Sequence, residues 1–332
     1  MAENATLKPI ILDAETSVFA VLDGAQFDDL PTALFDENFV HRSLYLDRGN
    51  GTADQLRTAP QLVWLDRDRR MQRPNADQND GKPLFPVLER LLSLVKDRPA
   101  IVFWVCEAGG EALYRHLRGI NKILLPTDAA RGTSDRLKQL PSNADQANDA
   151  DHEMVLYRHC DANVMAQVLP ALTLPNMARV LGPASQILCS PDNHWAERPL
   201  RLLRNPDMPI APIGPLKLST AEVHKIEDRR EVRACQTVRA YLRRYASDVT
   251  KQFSDDELNA RVWAYRNEAK RYGIRSEAAH HRWAYLQIVS GGRIADNEDF
   301  NRFMRHSNPS VSPDERIGLL MKATTAHLRR AH

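Results

Sequence analysis

The densest group of residues able to do chemistry is Cys106-Glu107-Ala108-Gly109-Gly110-Glu111, where an apolar run from Ala100 to Cys106 ends in a glycine pair ahead of a helical pattern. Strand, glycine turn and helix in this order form the layout that holds a phosphate on a helix amino terminus. The stretch lacks both GxGxxG and the Lys-Ser/Thr of a P-loop, and Glu107 and Glu111 would repel an anion. A structural turn is the expectation. A nucleotide-binding enzyme using the Cys106–Glu111 turn is the alternative.

Cys106 beside Glu107, and Cys160 between His159 and Asp161, place a nucleophile next to a base in sequence. Neighbours in a strand point to opposite faces, so His159 and Cys160 would not meet there, and a core cysteine is the better account. His280-His281 and His152-Glu153 supply imidazoles with no HExxH or Cys/His grouping, which predicts surface histidines and no metal. Cys106, Cys160, Cys189 and Cys235 are never at metal-ligand spacing and read as reduced, buried thiols. The residues therefore predict no cofactor and no catalytic centre.

The arginine-rich stretches Asp228-Arg229-Arg230 and Arg239 to Arg244 have acidic residues interleaved nearby, which predicts a solvated helix face. A nucleic-acid binder working through the basic helical lobe is the second alternative. Tyr241, Tyr245, Trp263, Tyr265, Tyr272, Trp283 and Tyr285 recur at helical spacing, mostly as core. Aromatics and arginine also anchor protein interfaces, so Tyr241, Tyr245, Trp263, Trp283, Arg243 and Arg244 are the candidate partner-binding residues.

Positioning these residues falls to two kinds of structure. Val18 to Asp23, Val40 to Leu46, Gln61 to Leu65, Ala100 to Cys106 and Met154 to Cys160 read as strands. Leu30 to Phe35, Phe85 to Leu94, Glu111 to Leu117 and Asn163 to Leu169 carry helical spacing. Alternation of this kind predicts an α/β lobe, a mixed sheet flanked by helices, over residues 1–204. Thr127 to Asp151 is polar and reads as a loop, while Arg179 to Leu181 and Gln186 to Leu188 are short apolar pieces.

Pro206, Pro209, Pro212 and Pro215 recur every third residue, which predicts a polyproline-like linker over 205–217. From residue 218 to 332 an all-α lobe of four or five helices is expected. Ser219 with Glu222, Ser254 with Glu257, and Ser312 with Glu315 each fit the capping box; Phe253 and Leu258 add a staple, and Gly273 marks a helix end.

Hydrophobic content of 43% and charged content of 27% are those of a globular protein, which excludes wholesale disorder. Residues 1–9 hold no basic-then-apolar leader and no apolar run is long enough to cross a bilayer, so a cytoplasmic chain with no membrane partner is expected. The net charge of +2 conceals an asymmetry: Leu216 to His332 holds 22 Lys/Arg against 15 Asp/Glu, and the remainder 23 against 28. Two units with different partners would carry charge in this way.

Ordered landmarks along the chain resemble a known family. They are Phe19-Ala-Val-Leu-Asp23-Gly-Ala-Gln26, Ser43-Leu-Tyr45, Ala59-Pro-Gln-Leu-Val63, Leu113 to Arg118, Leu156-Tyr-Arg158-His-Cys-Asp161 and Leu181-Gly-Pro183. Ala269 to Glu277, Gly291-Gly292 and Arg316 continue the likeness past the proline run. Together they resemble the effector adaptor-chaperones of bacterial type VI secretion. Ala162 stands where that family usually has proline, and the loop from Thr127 to Asp151 is longer than its usual one.

The resemblance implies a non-enzymatic adaptor that binds an effector protein in the cytoplasm, stabilises it and helps load it onto the VgrG spike, with no nucleic acid involved. It further implies that Asp23, Arg158 and Asp161 are fold-defining polar residues, with Arg158 and Asp161 a candidate pair.

Overall fold

The structure, a computed structural model, describes residues 3–45, 51–65, 84–96, 98–127, 152–193, 195–196, 198–305 and 311–330. The chain divides into two units, Met1–Glu227 and Asp228–His332. Among the described residues no helix is long and apolar enough to cross a membrane. The expected loop at 128–151 lies outside the described residues.

The first unit runs α1 (Glu3–Leu12), β1 (Val18–Leu22), α2 (Leu30–Asp36), β2 (His41–Ser43), α3 (Ala53–Thr58), β3 (Gln61–Trp64), α4 (Leu84–Val95), β4 (Ile101–Val105) and α5 (Gly110–Gly119). It continues with β5 (Lys122–Pro126), β6 (His152–Leu156), α6 (Ala162–Val168), α7 (Leu174–Leu181), β7 (Gln186–Cys189), β8 (Leu200–Leu203) and β9 (Leu216–Lys217). Six strands form one sheet in the order β2-β3-β1-β4-β7-β8.

Every described pairing in that sheet is antiparallel, where helix–strand alternation predicts a mixed or parallel one. The reason lies in the crossover. β3 and β4, joined through α4, do run in the same direction, but β1 lies between them and pairs antiparallel with both. The mixed sheet is the smaller one, β6-β5-β9, in which β5 is antiparallel to β6 and parallel to β9.

The large sheet separates two cores. Phe19, Val21, Val102 and Trp104 face one, while Val18, Ala20, Leu22, Ile101, Phe103 and Val105 face the other. Strands covered on both sides have no polar face to display, which is why β1 and β4 show no alternation in sequence.

The proline run that reads as a linker belongs instead to the first unit: Met208 packs on its core and Leu216–Lys217 pairs with β5. The division falls inside α8 (Thr220–Tyr245), between Glu227 and Asp228. Val223 and Ile226 contribute to the first unit's core, and Cys235, Val238 and Leu242 to the second's.

The second unit is all helical among its described residues, with the rest of α8, α9 (Ser247–Thr250), α10 (Asp255–Arg271), α11 (Glu277–Val289), α12 (Glu298–Arg305) and α13 (Pro313–Arg330). All three capping boxes are closed, each Ser hydroxyl accepting from its Glu N–H and each Glu carboxylate from its Ser N–H. Phe253 and Leu258 sit in one cluster, and α10 ends at Gly273 with φ +76°. A second cluster forms around Trp283, Phe300 and Ile317.

Candidate partner-binding surfaces

Asp23 follows β1, and Arg158 and Asp161 occupy the turn between β6 and α6. The turn closes through Asp161 N–H donating to Arg158 O at 3.0 Å, so β6 ends at Leu156 rather than running to Cys160 as its apolar pattern suggests. The Arg158 guanidinium bonds Asp23 and lies 3.4 Å from Asp161. Asp161 also caps α6, its Oδ1 accepting from the N–H groups of Asn163 and Val164 at 2.8 and 3.2 Å.

Burial tends to lower the Arg158 pKa, but Asp23 and Asp161 outweigh it and hold the guanidinium firmly charged. Burial pushes the Asp161 carboxyl above its ordinary value despite Arg158. Gln26 Nε2 completes the joint by donating to Asp23 Oδ2 at 3.1 Å. Ala162 donates its N–H to Pro99 O at 2.9 Å, a bond that proline could not make.

Other landmarks meet as well. Gly24 lies so close to the Thr58–Ala59 backbone that a Cβ there would come within 2.5 Å of Ala59 O. Leu44 N–H donates to Pro60 O at 2.9 Å, and Tyr114 OH to Ser43 O at 3.1 Å. Asn121 Nδ2 bonds Leu44 O, while its Oδ1 meets His159 Nε2 at 2.7 Å. Gly182, with φ +55°, lies directly against the His116 ring, whose Nε2 meets Val180 O at 2.7 Å.

Burial pushes His159 down to about 3 and His116 to about 4, so both are neutral at pH 7. They flank Trp104, each with its ring 6.3 Å from the indole. Asn121, His116 and the role of Gln26 escape sequence reasoning, because nothing local marks a polar residue whose partner is distant in the chain.

A groove of about 1160 Å3 opens in this unit between the ends of β5 and β9, the start of α7, and Pro212, Ile213 and Pro215. It is open to solvent and lined by both polar and apolar side chains. Glu222 lines it and joins two helix starts: its carboxylate accepts from Ser219 N–H, Thr173 N–H and hydroxyl, and Asn176 Nδ2, all within 3.0 Å. Burial pushes the Glu222 carboxyl up, but these donors outweigh it and hold it below the usual carboxylate value. The capping box was legible; the bond to α7 was not.

At the Cys106–Glu111 turn, Gly110 is pressed against the Trp64 indole and the Phe19 ring, so close that a Cβ there would lie 2.8 Å from the phenyl ring, and Gly109 adopts φ +84°. Packing and backbone geometry thus account for both glycines. Burial raises the Cys106 thiol, and Cys160, fully buried, is raised well above its ordinary value. The four cysteines are buried and free of disulfides. Among the described residues no group of His, Cys, Asp and Glu is arranged to hold a metal ion.

In the second unit the Tyr241 ring lies 4.7 Å from Tyr245, tilted by 42°, and stacks with His281 at 4.8 Å, while Arg244 lies 5.2 Å from the Tyr245 ring. Tyr245 is 55% exposed and Trp263 46%, both accessible to a partner. Trp283 is not: it is fully buried, stacked on Phe300 at 5.3 Å, with Nε1 donating to Tyr265 O. An anchor must reach its partner, so Trp283 is a core residue.

Arg243 is a clamp, bonding Thr250 O, Phe253 O and Asp255 Oδ1 at 2.6, 2.9 and 2.7 Å. Nor is His280 at the surface as expected; it is buried, and burial pushes it down to about 4. Its place on α11 turns it inward with Trp283 and Ala284.

Comparison with protein-family models, curated proteins and solved structures gives no match to this chain.

Proposed function

We propose that the chain is a non-catalytic adaptor that binds a type VI secretion effector in the cytoplasm, stabilises it and helps load it onto the VgrG spike. One observation carries this reading. The landmarks that resemble the adaptor family lie far apart in sequence, yet they bond to one another: Asp23 to Arg158, Ser43 to Tyr114, and Gly24 against Ala59. Contacts between segments that the resemblance names support the reading.

The groove beside Glu222 and the exposed Tyr245 and Trp263 supply surfaces on each unit for polypeptide partners. Two such surfaces on one chain can raise a partner's effective concentration without either being tight alone. The test is co-expression with a candidate effector, followed by size-exclusion chromatography with mass determination and a solubility comparison. Co-elution as a defined complex with improved effector solubility is the expected result. Separate elution with unchanged solubility would remove the adaptor reading.

A further inference from the structure

The six-stranded sheet ends at β8, and the ladder fixes which backbone groups of that strand are used. Arg204 N–H donates to Ser185 O at 2.8 Å, one position beyond the registered pair of Gln186 with Leu203. Hydrogen-bonded and non-hydrogen-bonded pairs alternate along an antiparallel ladder. Leu200 and Leu202 therefore turn their N–H and C=O groups to β7, while Arg201 and Leu203 turn theirs outward. Among the described residues these outward groups have no hydrogen-bond partner.

Other sheet ends differ. On β2 the Ser43 carbonyl accepts from Tyr114 OH at 3.1 Å, and on β9 the Lys217 carbonyl accepts from Asn176 Nδ2 at 2.9 Å. β6, the remaining end, carries Glu153 and no arginine. An open edge is a template for another strand unless it is covered or blunted.

Side chains decide which strand β8 can accept. Leu200 and Leu202 pack on the core, and Arg201 and Leu203, which alternate with them, are exposed. Arg198 and Arg204, also exposed, flank the strand. Arg201 bonds Gln186 Oε1 at 3.1 Å, and Arg204 bonds Ala184 O at 3.2 Å and Gly182 O, all neutral acceptors. None of the three arginines has a carboxylate partner among the described residues. A second copy of β8 would bring like charges together across the new ladder, whereas carboxylates would be attracted to it.

We propose that β8 is a docking edge for an extended acidic segment of a partner protein. The segment adds as a seventh strand and exchanges backbone hydrogen bonds with Arg201 and Leu203. It sets a carboxylate opposite Arg201 and an aliphatic side chain opposite Leu203. Strand addition of this kind draws affinity from the main chain and specificity from alternate side chains. The proposal rests on this edge alone and does not depend on the adaptor reading.

The test selects seven-residue peptides from a phage-displayed library on the full chain and measures the enriched peptides by fluorescence anisotropy. Enrichment of Asp or Glu alternating with aliphatic residues is expected, with affinity falling as salt is raised. Methylating alternate backbone amides of the peptide, one set and then the other, should be harmless for one set and weaken binding at least about tenfold for the set that faces β8. Arg201→Glu should weaken binding at least about fivefold. Leu203→Pro removes an outward N–H that the β7 ladder does not use, so binding should be lost while the thermal melt stays near the parent's. If that variant fails to fold, Arg201→Glu and the methylated peptides decide the matter. Absence of acidic enrichment, or binding that survives both methylation sets or Arg201→Glu, overturns the proposal. A dimer that Leu203→Pro converts to monomer in size-exclusion chromatography also overturns it, because a second copy would then occupy the edge.

Discussion

The same four-residue box, Ser-x-x-Glu, opens α8, α10 and α13, but in two environments. Glu257 and Glu315 are exposed and each serves one helix. Glu222 is 1% exposed and serves two, because Thr173, just before α7, and Asn176 within it donate to the carboxylate that caps α8. An identical local motif is thus a helix start in the second unit and a joint between distant segments in the first. The lesson is that a motif states what its own segment does, while its surroundings decide how much of the fold rests on it.

The sharpest way to break this comparison is Glu222→Ala. It leaves several shielded donors without their acceptor, each costing about 1–3 kcal/mol, so a loss of about 4 kcal/mol is expected. Hydrogen exchange in urea, followed at α7 and α8 separately, would measure it. Glu257→Ala and Glu315→Ala should shift only their own helices, and far less. Equal effects from all three would mean that Glu222 caps α8 alone.

Acid should separate the causes next. His116 and His159 have values pushed down to about 4 and about 3, so the unfolded chain binds protons below pH 6.5 that the folded chain does not. Stability therefore falls as pH falls from 6.5, by about 1.4 kcal/mol per pH unit for each histidine, and levels off below the folded values. Glu222, held below its ordinary 4.5, adds its own loss only at still lower pH. Denaturation curves from pH 7 to 4.5 should show the slope, and His159→Gln should reduce it by one proton's worth. An unchanged slope would mean that His159 is not the group taking up the proton.

Within the second unit, Ser254→Ala tests the local half of the comparison. Removing an N-cap hydroxyl costs about 1 kcal/mol, and the loss should be confined to α10, read from the thermal melt and from exchange at its first turn. Spread of that loss to α13 would show coupling that the box does not supply.

The same distinction explains what was legible in the sequence. Helix starts at Ser219, Ser254 and Ser312 and the stop at Gly273 depend on residues within four positions, and all were readable. β1 and β4 were readable as strands covered on both faces, but their antiparallel order was not, because β1 enters between β3 and β4 from far away in the chain. α1 was missed because Pro9 inside it argues against a helix, and β9 because two residues leave no pattern. At the polar joint the resemblance named Asp23, Arg158 and Asp161, and periodicity could not have paired Asp23 with a residue 135 positions away.

The smallest effect on folding is expected at Trp263, and there the comparison passes from stability to binding. Trp263 and Trp283 both read as helical aromatics, yet one is 46% exposed and the other fully buried. Truncating an exposed side chain removes few contacts, so Trp263→Ala should change stability by no more than about 0.5 kcal/mol. If the second unit holds a polypeptide through its exposed aromatics, the same variant should weaken partner retention about tenfold or more, since buried tryptophans dominate interface energies. Co-purification yield alongside the thermal melt separates the two quantities. A variant that melts and binds as the parent does would move the second unit's contact elsewhere, with the Tyr241–Tyr245–Arg244 patch the next surface to test.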